Sequence, residues 1–135
     1  MNIPDKHSNI KPKYKEYLPN MNETQKFCKI RKELIQKEFK KKYNKQYVPL
    51  IIFPNVWFIP SEDHIIKIEI YEEVIEKEFE IISKLEEKNS SLDKEIKFPK
   101  LFSNKIENST IISGFYFYSI EKYDTSLLNY VYSIE

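Results

Sequence analysis

The chain has 135 residues, of which 41% are apolar and 15% aromatic, so it can bury the core of one folded domain and is not a disordered chain. Its 22 basic and 21 acidic side chains nearly cancel, and the net charge of +1 excludes a general electrostatic attraction to nucleic acid or membrane. Cys28 is the only cysteine and the two histidines are far apart, which excludes an internal disulfide and argues against a Cys/His zinc site.

Residues 1–20 contain three prolines and no periodic pattern, and they are predicted to form an extended or disordered arm. This segment is polar and does not look like a secretory signal peptide. The apolar runs of the chain are far shorter than the ~18 residues that cross a bilayer. The expected location is therefore the cytoplasm, for a protein that is neither secreted nor transmembrane.

Residues 21–46 are predicted to form a basic amphipathic helix. Its apolar residues recur near helical spacing, at Phe27, Ile30, Leu34, Ile35 and Phe39. Between residues 26 and 45 there are nine Lys or Arg side chains and two Glu side chains, a local charge of +7. The simplest interpretation is a solvated outer face, and the alternatives are an acidic partner, RNA or an anionic lipid surface. No further nucleic-acid or membrane signature accompanies this charge.

Residues 47–135 form a second unit with an α+β pattern. Its predicted strands are residues 47–53, 56–59, 64–70, 98–106 and 110–120. A helix is predicted over 72–87, and a short final helix is predicted to be capped by a residue within 124–126. The tripeptide ENS (107–109) separates the last two predicted strands. The expected fold is α+β, with a five-stranded antiparallel sheet and one packed helix, preceded by the basic helix.

One lysine and one glutamate occupy positions where apolar side chains are expected. On the third strand, Ile66 and Ile68 point to one face of the sheet and Lys67 points to the other. At about 100° per residue, Glu78 lies in the middle of the apolar stripe of the following helix. A buried carboxylate needs a partner to keep its charge, so an ion pair between Lys67 and Glu78 is predicted. The alternative is that both side chains reach solvent from a half-exposed sheet.

Four segments resemble, in order, the N-terminal lobe of eukaryotic-type protein kinases. HIIK (64–67) resembles the end of the third strand, and EFEIISKL (78–85) the helix that follows it. FPKLF (98–102) resembles the start of the fourth strand. GFYFYSIEKYDTSLLNYV (114–131) resembles the fifth strand, the hinge and the first helix of the C-lobe. The resemblance covers residues 47–135.

The resemblance implies roles for particular residues in nucleotide binding. Lys67 would hold the α- and β-phosphates, and Glu78 would be its partner on the helix. Ile120 would be the gatekeeper, and the backbone of the hinge from Glu121 to Tyr123 would meet adenine. Ile65 stands where the family often has a small alanine above the adenine, so it would narrow that pocket.

Two further departures reduce the chemistry that the resemblance implies. The glycine-rich loop between the first two strands is replaced by FPNVWF, which has no glycine. The catalytic loop (H-R-D…N) and the metal-binding D-F-G of the second lobe do not occur in the sequence. We therefore expect no catalytic residue, no metal ligand and no activity for the chain alone. ATP with magnesium is expected to bind weakly at most, and no other cofactor is expected.

Three functions are compatible with the sequence. The first is an inactive kinase-like N-lobe, either a fragment or a regulatory mimic, that binds a kinase C-lobe or a partner kinase. The second is part of an active serine/threonine kinase completed by a C-lobe in another segment. The third is a small α+β interaction protein unrelated to kinases. A lobe would leave an apolar surface for docking or self-association. That surface is predicted at Tyr123, Leu127, Leu128, Tyr130 and Val131.

Overall fold

The computed structural model describes residues 23–91, 97–123, 127, 130 and 131. Residues 23–30 are helical. The following elements are helix α1 (Lys32–Tyr43), strands β1 (Val48–Pro49), β2 (Val56–Phe58) and β3 (His64–Glu69), helix α2 (Glu72–Glu87), a 3₁₀ turn (Lys88–Ser91), and strands β4 (Glu107–Asn108) and β5 (Tyr116–Glu121). The predicted N-terminal arm (1–20) and the predicted cap of the final helix (124–126) lie outside the described residues. Within the described part of the chain, no helix is long and apolar enough to cross a membrane.

The five strands form one antiparallel sheet in the order β1-β2-β3-β5-β4. The central strands β3 and β5 pair along their whole length, from His64 opposite Glu121 to Glu69 opposite Tyr116. This confirms the predicted α+β fold with a five-stranded antiparallel sheet. The helix between the third and fourth strands also forms where the apolar periodicity predicted it.

The fourth strand was predicted in the wrong place. Residues 98–106 do not form a strand, and only Leu101 bridges to Ile120 of β5. The backbone N–H groups of Phe102 and Ser103 both donate to the carbonyl of Ser119, at 3.0 and 3.2 Å, so a regular ladder cannot continue there.

The edge strand that pairs with β5 is instead β4 (Glu107–Asn108), within the tripeptide ENS that was predicted to separate the last two strands. Lys42 of α1 forms a 2.9 Å ion pair with Glu107 of β4, and the Ser109 N–H donates to the carbonyl of Phe115 at 2.9 Å. The Ser109–Phe115 hydrogen bond closes the β4–β5 hairpin. The Lys42–Glu107 ion pair joins α1 to β4 across 65 positions of the sequence, so turn propensity cannot reveal it.

The first strand is also shorter than the predicted 47–53. Pro49 has no N–H to extend the ladder, and the Val56 N–H donates to the carbonyl of Phe53 at 2.8 Å to close a turn. Residues 50–55 are therefore a loop between β1 and β2.

Both faces of the sheet are buried. We call one the aromatic face; it packs against the N-terminal helical segments, and its buried residues include Phe39, Trp57, Ile66, Ile68 and Phe117. We call the other the lysine face; it packs against α2, and its buried apolar residues include Val56, Val74, Ile82, Tyr118 and Ile120 around Lys67. The alternative of a half-exposed sheet was wrong, because a helix covers each side.

The buried side of the N-terminal helical segments differs from the apolar spacing in the sequence. Ile35 and Phe39 are fully buried, whereas Ile30 and Leu34 are exposed. The buried stripe runs instead through Thr24 and Cys28, which continue the face that contacts the sheet. Two aliphatic side chains are thereby left on the surface of a basic region.

Candidate functional site

The predicted ion pair between Lys67 and Glu78 is formed in the centre of the lysine face. The Lys67 Nζ lies 3.1 Å from Glu78 Oε2 and 3.3 Å from Glu78 Oε1. Both side chains are completely removed from solvent. A pair buried to this degree needs each charge to be compensated, because the cost of desolvating either ion alone is several kcal/mol.

Local periodicity explains how the two charges meet. Lys67 alternates with Ile66 and Ile68 along β3, so it points away from the aromatic face and toward α2. On α2, Glu78 is buried together with Val74 and Ile82 on one side of the helix. The lysine and the glutamate are 11 positions apart, and the chain between them contains the turn that folds α2 back over β3.

Tyr118 completes the cluster and was missed from the sequence. Its hydroxyl donates a 2.6 Å hydrogen bond to Glu78 Oε1. Tyr118 lies directly opposite Lys67 in the β3–β5 ladder, so the two side chains point to the same face. The ring of Phe79 packs edge-on against the Tyr118 ring, with 5.4 Å between the centroids. The pairing register of β5 would have revealed this tyrosine, but that register becomes visible only once the strands are assembled.

The predicted adenine-site residues lie around one end of the lysine face. Ile65 and Ile120 are paired across β3 and β5, and both are buried in the core. Glu121 ends β5; its N–H donates to the carbonyl of Lys100 at 2.9 Å, and its side chain accepts a 3.1 Å bond from the Lys100 N–H. The backbone and side chain of Glu121 are thus both bonded to the segment before β4.

Tyr123 packs partly buried against the same core. Its hydroxyl is buried without a hydrogen-bond partner among the described residues. Burial raises the pKa of Tyr123 well above its ordinary value of 10.0, and the negative charge of Glu78 raises it further. The phenol therefore stays neutral and lies close enough to the ion pair to be influenced by it.

A small cavity lies where the resemblance implies an adenine pocket. It lies between the β1–β2 loop, β2, β3 and the segment after β5, and its volume is about 70 Å³. Its lining residues are Leu50, Val56, Phe58, Ile65, Lys122 and Tyr123. Pockets for drug-sized ligands usually measure about 300–1,000 Å³. Lys67 does not line the cavity, so the cavity and the ion pair are separate features.

The loop between β1 and β2 is not a phosphate cradle. The Leu50 N–H donates to the carbonyl of Val56 at 2.9 Å, and Asn55 is buried, with its carbonyl accepting from the Ile68 N–H at 2.8 Å. Ile51 and Ile52 project from the loop into solvent. The loop thus presents aliphatic side chains where a glycine-rich loop would present backbone N–H groups.

The predicted docking residues are distributed between core and surface. Val131 is buried in the core of the lysine face, and Leu127 packs against that core with Tyr123. Tyr130 is half exposed. Leu128 lies outside the described residues. Tyr130 is therefore the member of this set that the described structure presents most openly to a partner.

A second buried carboxylate, Glu69, was also missed. Its Oε1 accepts hydrogen bonds from the Thr24 hydroxyl, from the Ile70 N–H at 2.9 Å and from the Tyr71 N–H at 3.2 Å. Burial raises the pKa of Glu69, and the positive charge of Lys67 partly opposes that rise. Burial also raises the pKa of the nearby Cys28 thiol to about 12, with the charge of Glu69 adding to the effect.

Neither a metal site nor a comparison with known proteins indicates a reaction for the buried charges around Lys67. In the ranges that the structure describes, no group of three or more His, Cys, Asp or Glu side chains could hold a metal ion. No family model, no curated protein and no solved structure matches the chain.

Proposed function

We propose that this chain is a protein-kinase-like N-lobe that acts in the cytoplasm by binding a protein partner and does not transfer phosphate by itself. The observation that carries the proposal is the buried pair between Lys67 on the third strand and Glu78 on the following helix. In protein kinases, a lysine of the third strand and a glutamate of the next helix form the pair on which the active arrangement depends. Burying two charges costs several kcal/mol of desolvation for each ion, and apolar side chains of similar volume would avoid that cost.

The order of elements adds support. Three strands, a helix and two strands follow one another, and both carried-over charges lie on the elements that the resemblance requires. The Tyr118 hydroxyl on β5 also donates to Glu78, so β3 and β5 are both bonded to the same carboxylate of α2. The proposed role of these contacts is to hold α2 in a fixed position on the sheet, so that the surface that binds the partner keeps its conformation.

The proposal includes weak binding of ATP at most. The cavity of about 70 Å³ is too small for an adenine ring with its sugar, and Ile65 occupies part of its wall. We expect calorimetry with ATP and magnesium to detect no binding tighter than about millimolar. Micromolar binding that is lost in Lys67→Ala would contradict the proposal. Ile65→Ala, which enlarges the cavity without touching the pair, is the companion variant and is expected to bind adenine nucleotides more tightly than the parent.

Partner binding is tested with purified kinase domains. The full chain is immobilised and a panel of serine/threonine kinase catalytic domains is passed over it, with ATP absent. Tyr130→Asp is expected to weaken any complex at least tenfold, and Ile111→Asp, a similarly exposed apolar residue on the β4–β5 loop, is the matched control. Failure to bind any member of the panel, or equal weakening by both substitutions, would count against the lobe.

A second candidate is a lobe of an active kinase whose C-lobe lies in another segment. The Lys67–Glu78 pair also supports this candidate, because active protein kinases use a pair at these two positions. Adding a separately expressed kinase C-lobe should then produce phosphorylation of a generic substrate, and Lys67→Met should abolish it. The third candidate, an interaction protein unrelated to kinases, is favoured by the absence of any matching family or structure.

A further inference from the structure

Four exposed aliphatic side chains lie on two neighbouring parts of the surface. Ile51 is 94% exposed and Ile52 77% exposed, both on the loop between β1 and β2. Ile30 is 70% exposed and Leu34 41% exposed, on the N-terminal helical segments. Single exposed apolar residues are ordinary, but an adjacent pair at the tip of a loop is not.

Basic side chains connect these two parts into one surface. A hollow of about 240 Å³ is lined by Lys29 and Lys32 on one side and by Pro49 and Ile51 on the other. The same two lysines line a second, shallow hollow with Ile30 and Leu34. We call this surface the aliphatic–lysine patch; it comprises Lys29, Ile30, Lys32, Leu34, Ile51 and Ile52.

The charge of the patch is positive. Arg31 lies between the two lysines, and Glu33 is the one carboxylate that lines these two hollows. Among the residues described, no carboxylate forms an ion pair with Lys29 or Lys32. The basic character continues along α1, whose last turn carries Lys40, Lys41 and Lys42. The near-neutral net charge of the whole chain therefore conceals a strongly basic region.

We propose that the aliphatic–lysine patch binds an anionic lipid surface, with Ile51 and Ile52 entering the headgroup region and Lys29 and Lys32 contacting the acidic headgroups. The two kinds of side chain supply the two terms of peripheral membrane binding, which are burial of apolar surface and attraction to acidic lipids.

RNA fits the patch less well. Recognition of single-stranded nucleic acid uses aromatic side chains on which bases stack, and the most exposed large side chains of the patch are aliphatic. A protruding loop tip with two neighbouring isoleucines is instead suited to a soft apolar layer such as the lipid interface. The proposal is independent of the kinase-like function, because none of its residues belongs to the ion pair or to the predicted partner-docking set.

The first experiment measures flotation of the full chain with vesicles. We expect binding to vesicles of phosphatidylcholine with 30% phosphatidylserine, little binding to phosphatidylcholine alone, and weakening as salt rises. Ile51→Ser combined with Ile52→Ser should lower the partition coefficient at least tenfold. Lys29→Glu combined with Lys32→Glu should lower it by a similar factor or more. The matched controls are Ile111→Ser and Lys105→Glu, which flank β4 at the opposite edge of the sheet and should leave binding unchanged.

The second experiment reports whether the loop enters the lipid layer, at a vesicle concentration at which the protein is bound. Cys28 is buried, and burial raises the pKa of its thiol to about 12, so a fluorophore should react selectively with a cysteine introduced on the surface. An environment-sensitive label on Ile52→Cys should brighten and shift to the blue with acidic vesicles. The same label on Ile111→Cys should not change.

Several results would overturn the proposal. One is an absence of binding to acidic vesicles while circular dichroism shows the folded protein. Another is binding that is unaffected by the isoleucine substitutions, or binding to RNA that depends on the lysines but not on the isoleucines. A self-association measured by ultracentrifugation that Ile51→Ser and Ile52→Ser abolish, without vesicle binding, would assign the patch to a second copy of the chain.

Discussion

The two faces of the sheet bury different kinds of side chain. On the aromatic face, the ring of Phe39 lies 5.3 Å from that of Phe117 and 5.5 Å from that of Trp57, both edge-on. On the lysine face, the centre is an ion pair with a tyrosine hydroxyl bonded to it. One face is held by apolar area and ring packing, and the other contains a polar cluster surrounded by aliphatic side chains.

The two faces contribute differently to the folding free energy and to the choice of one arrangement of helix and sheet. Apolar side chains can repack in several ways. Their burial therefore stabilises a compact state without selecting one arrangement of helix and sheet. The Lys67–Glu78 pair is satisfied in one arrangement only, because a one-residue shift of β3 would turn the lysine to the opposite face. We therefore expect the aromatic face to supply most of the folding free energy and the lysine face to fix the position of α2.

The largest expected effect is on the aromatic face. Phe39→Ala should lower the free energy of unfolding by about 4 kcal/mol, because it removes a fully buried ring and leaves a cavity among its neighbours. Urea titration followed by circular dichroism measures the change. Leu34→Ala on the same helix is the matched control and should cost less than about 1 kcal/mol, since Leu34 is exposed. Similar losses in both variants would refute the assignment of the buried stripe.

The next effect tests the ion pair by a double-mutant cycle. Lys67→Met alone should cost about 3 kcal/mol, because Glu78 is then a buried carboxylate without its cation. Lys67→Met together with Glu78→Leu should recover most of that loss, since no unpaired charge remains. If the double variant is as unstable as the sum of the single variants, the two charges do not interact as the structure shows.

Tyr118→Phe should have a smaller effect of about 2 kcal/mol. The substitution removes the hydroxyl that donates to Glu78 while keeping the ring against Phe79. Thermal unfolding of the parent and the variant measures the difference. In the Lys67→Met and Glu78→Leu background, the same substitution should cost much less, because the acceptor is gone. A loss of equal size in both backgrounds would show that the hydroxyl acts elsewhere.

The smallest expected effect concerns Glu69 and pH. Burial raises its folded-state pKa above the ordinary value of 4.5, so the folded protein holds this proton more tightly than the unfolded chain. The corresponding stability is complete below about pH 4.5 and is lost as the pH rises through the folded pKa. Glu69→Gln, which keeps an oxygen for the backbone N–H groups, should remove that decline, by about 1.4 kcal/mol per unit of pKa shift.

Urea titrations at several pH values from 4 to 8 give the comparison. The stability of Glu69→Gln relative to the parent should improve as the pH increases across this range. A relative stability that is constant with pH, or that worsens toward neutral pH, would mean that folding does not raise the pKa of Glu69.

Sequence patterns recovered the parts of the fold that depend on short-range periodicity. Alternation along β3 and the helical stripe of α2 indicated an ion pair between Lys67 and Glu78, with two solvent-exposed side chains as the alternative, and the structure contains the pair. The same reasoning missed Tyr118, because which residue of β5 faces Lys67 depends on the register between strands 51 residues apart. It also missed Glu69, whose hydroxyl partner, Thr24, is 45 residues away.

The sequence by itself determined the number of strands, the helix between the third and fourth strands, and the two charges that the lysine face contains. The tertiary structure decided where β4 lies, which side of α1 is buried, and that two pairs of aliphatic side chains remain exposed beside Lys29 and Lys32. The first set follows from contacts between near neighbours, which periodicity encodes. The second set follows from contacts between distant segments, such as Lys42 with Glu107, whose energy appears only when the whole chain has assembled.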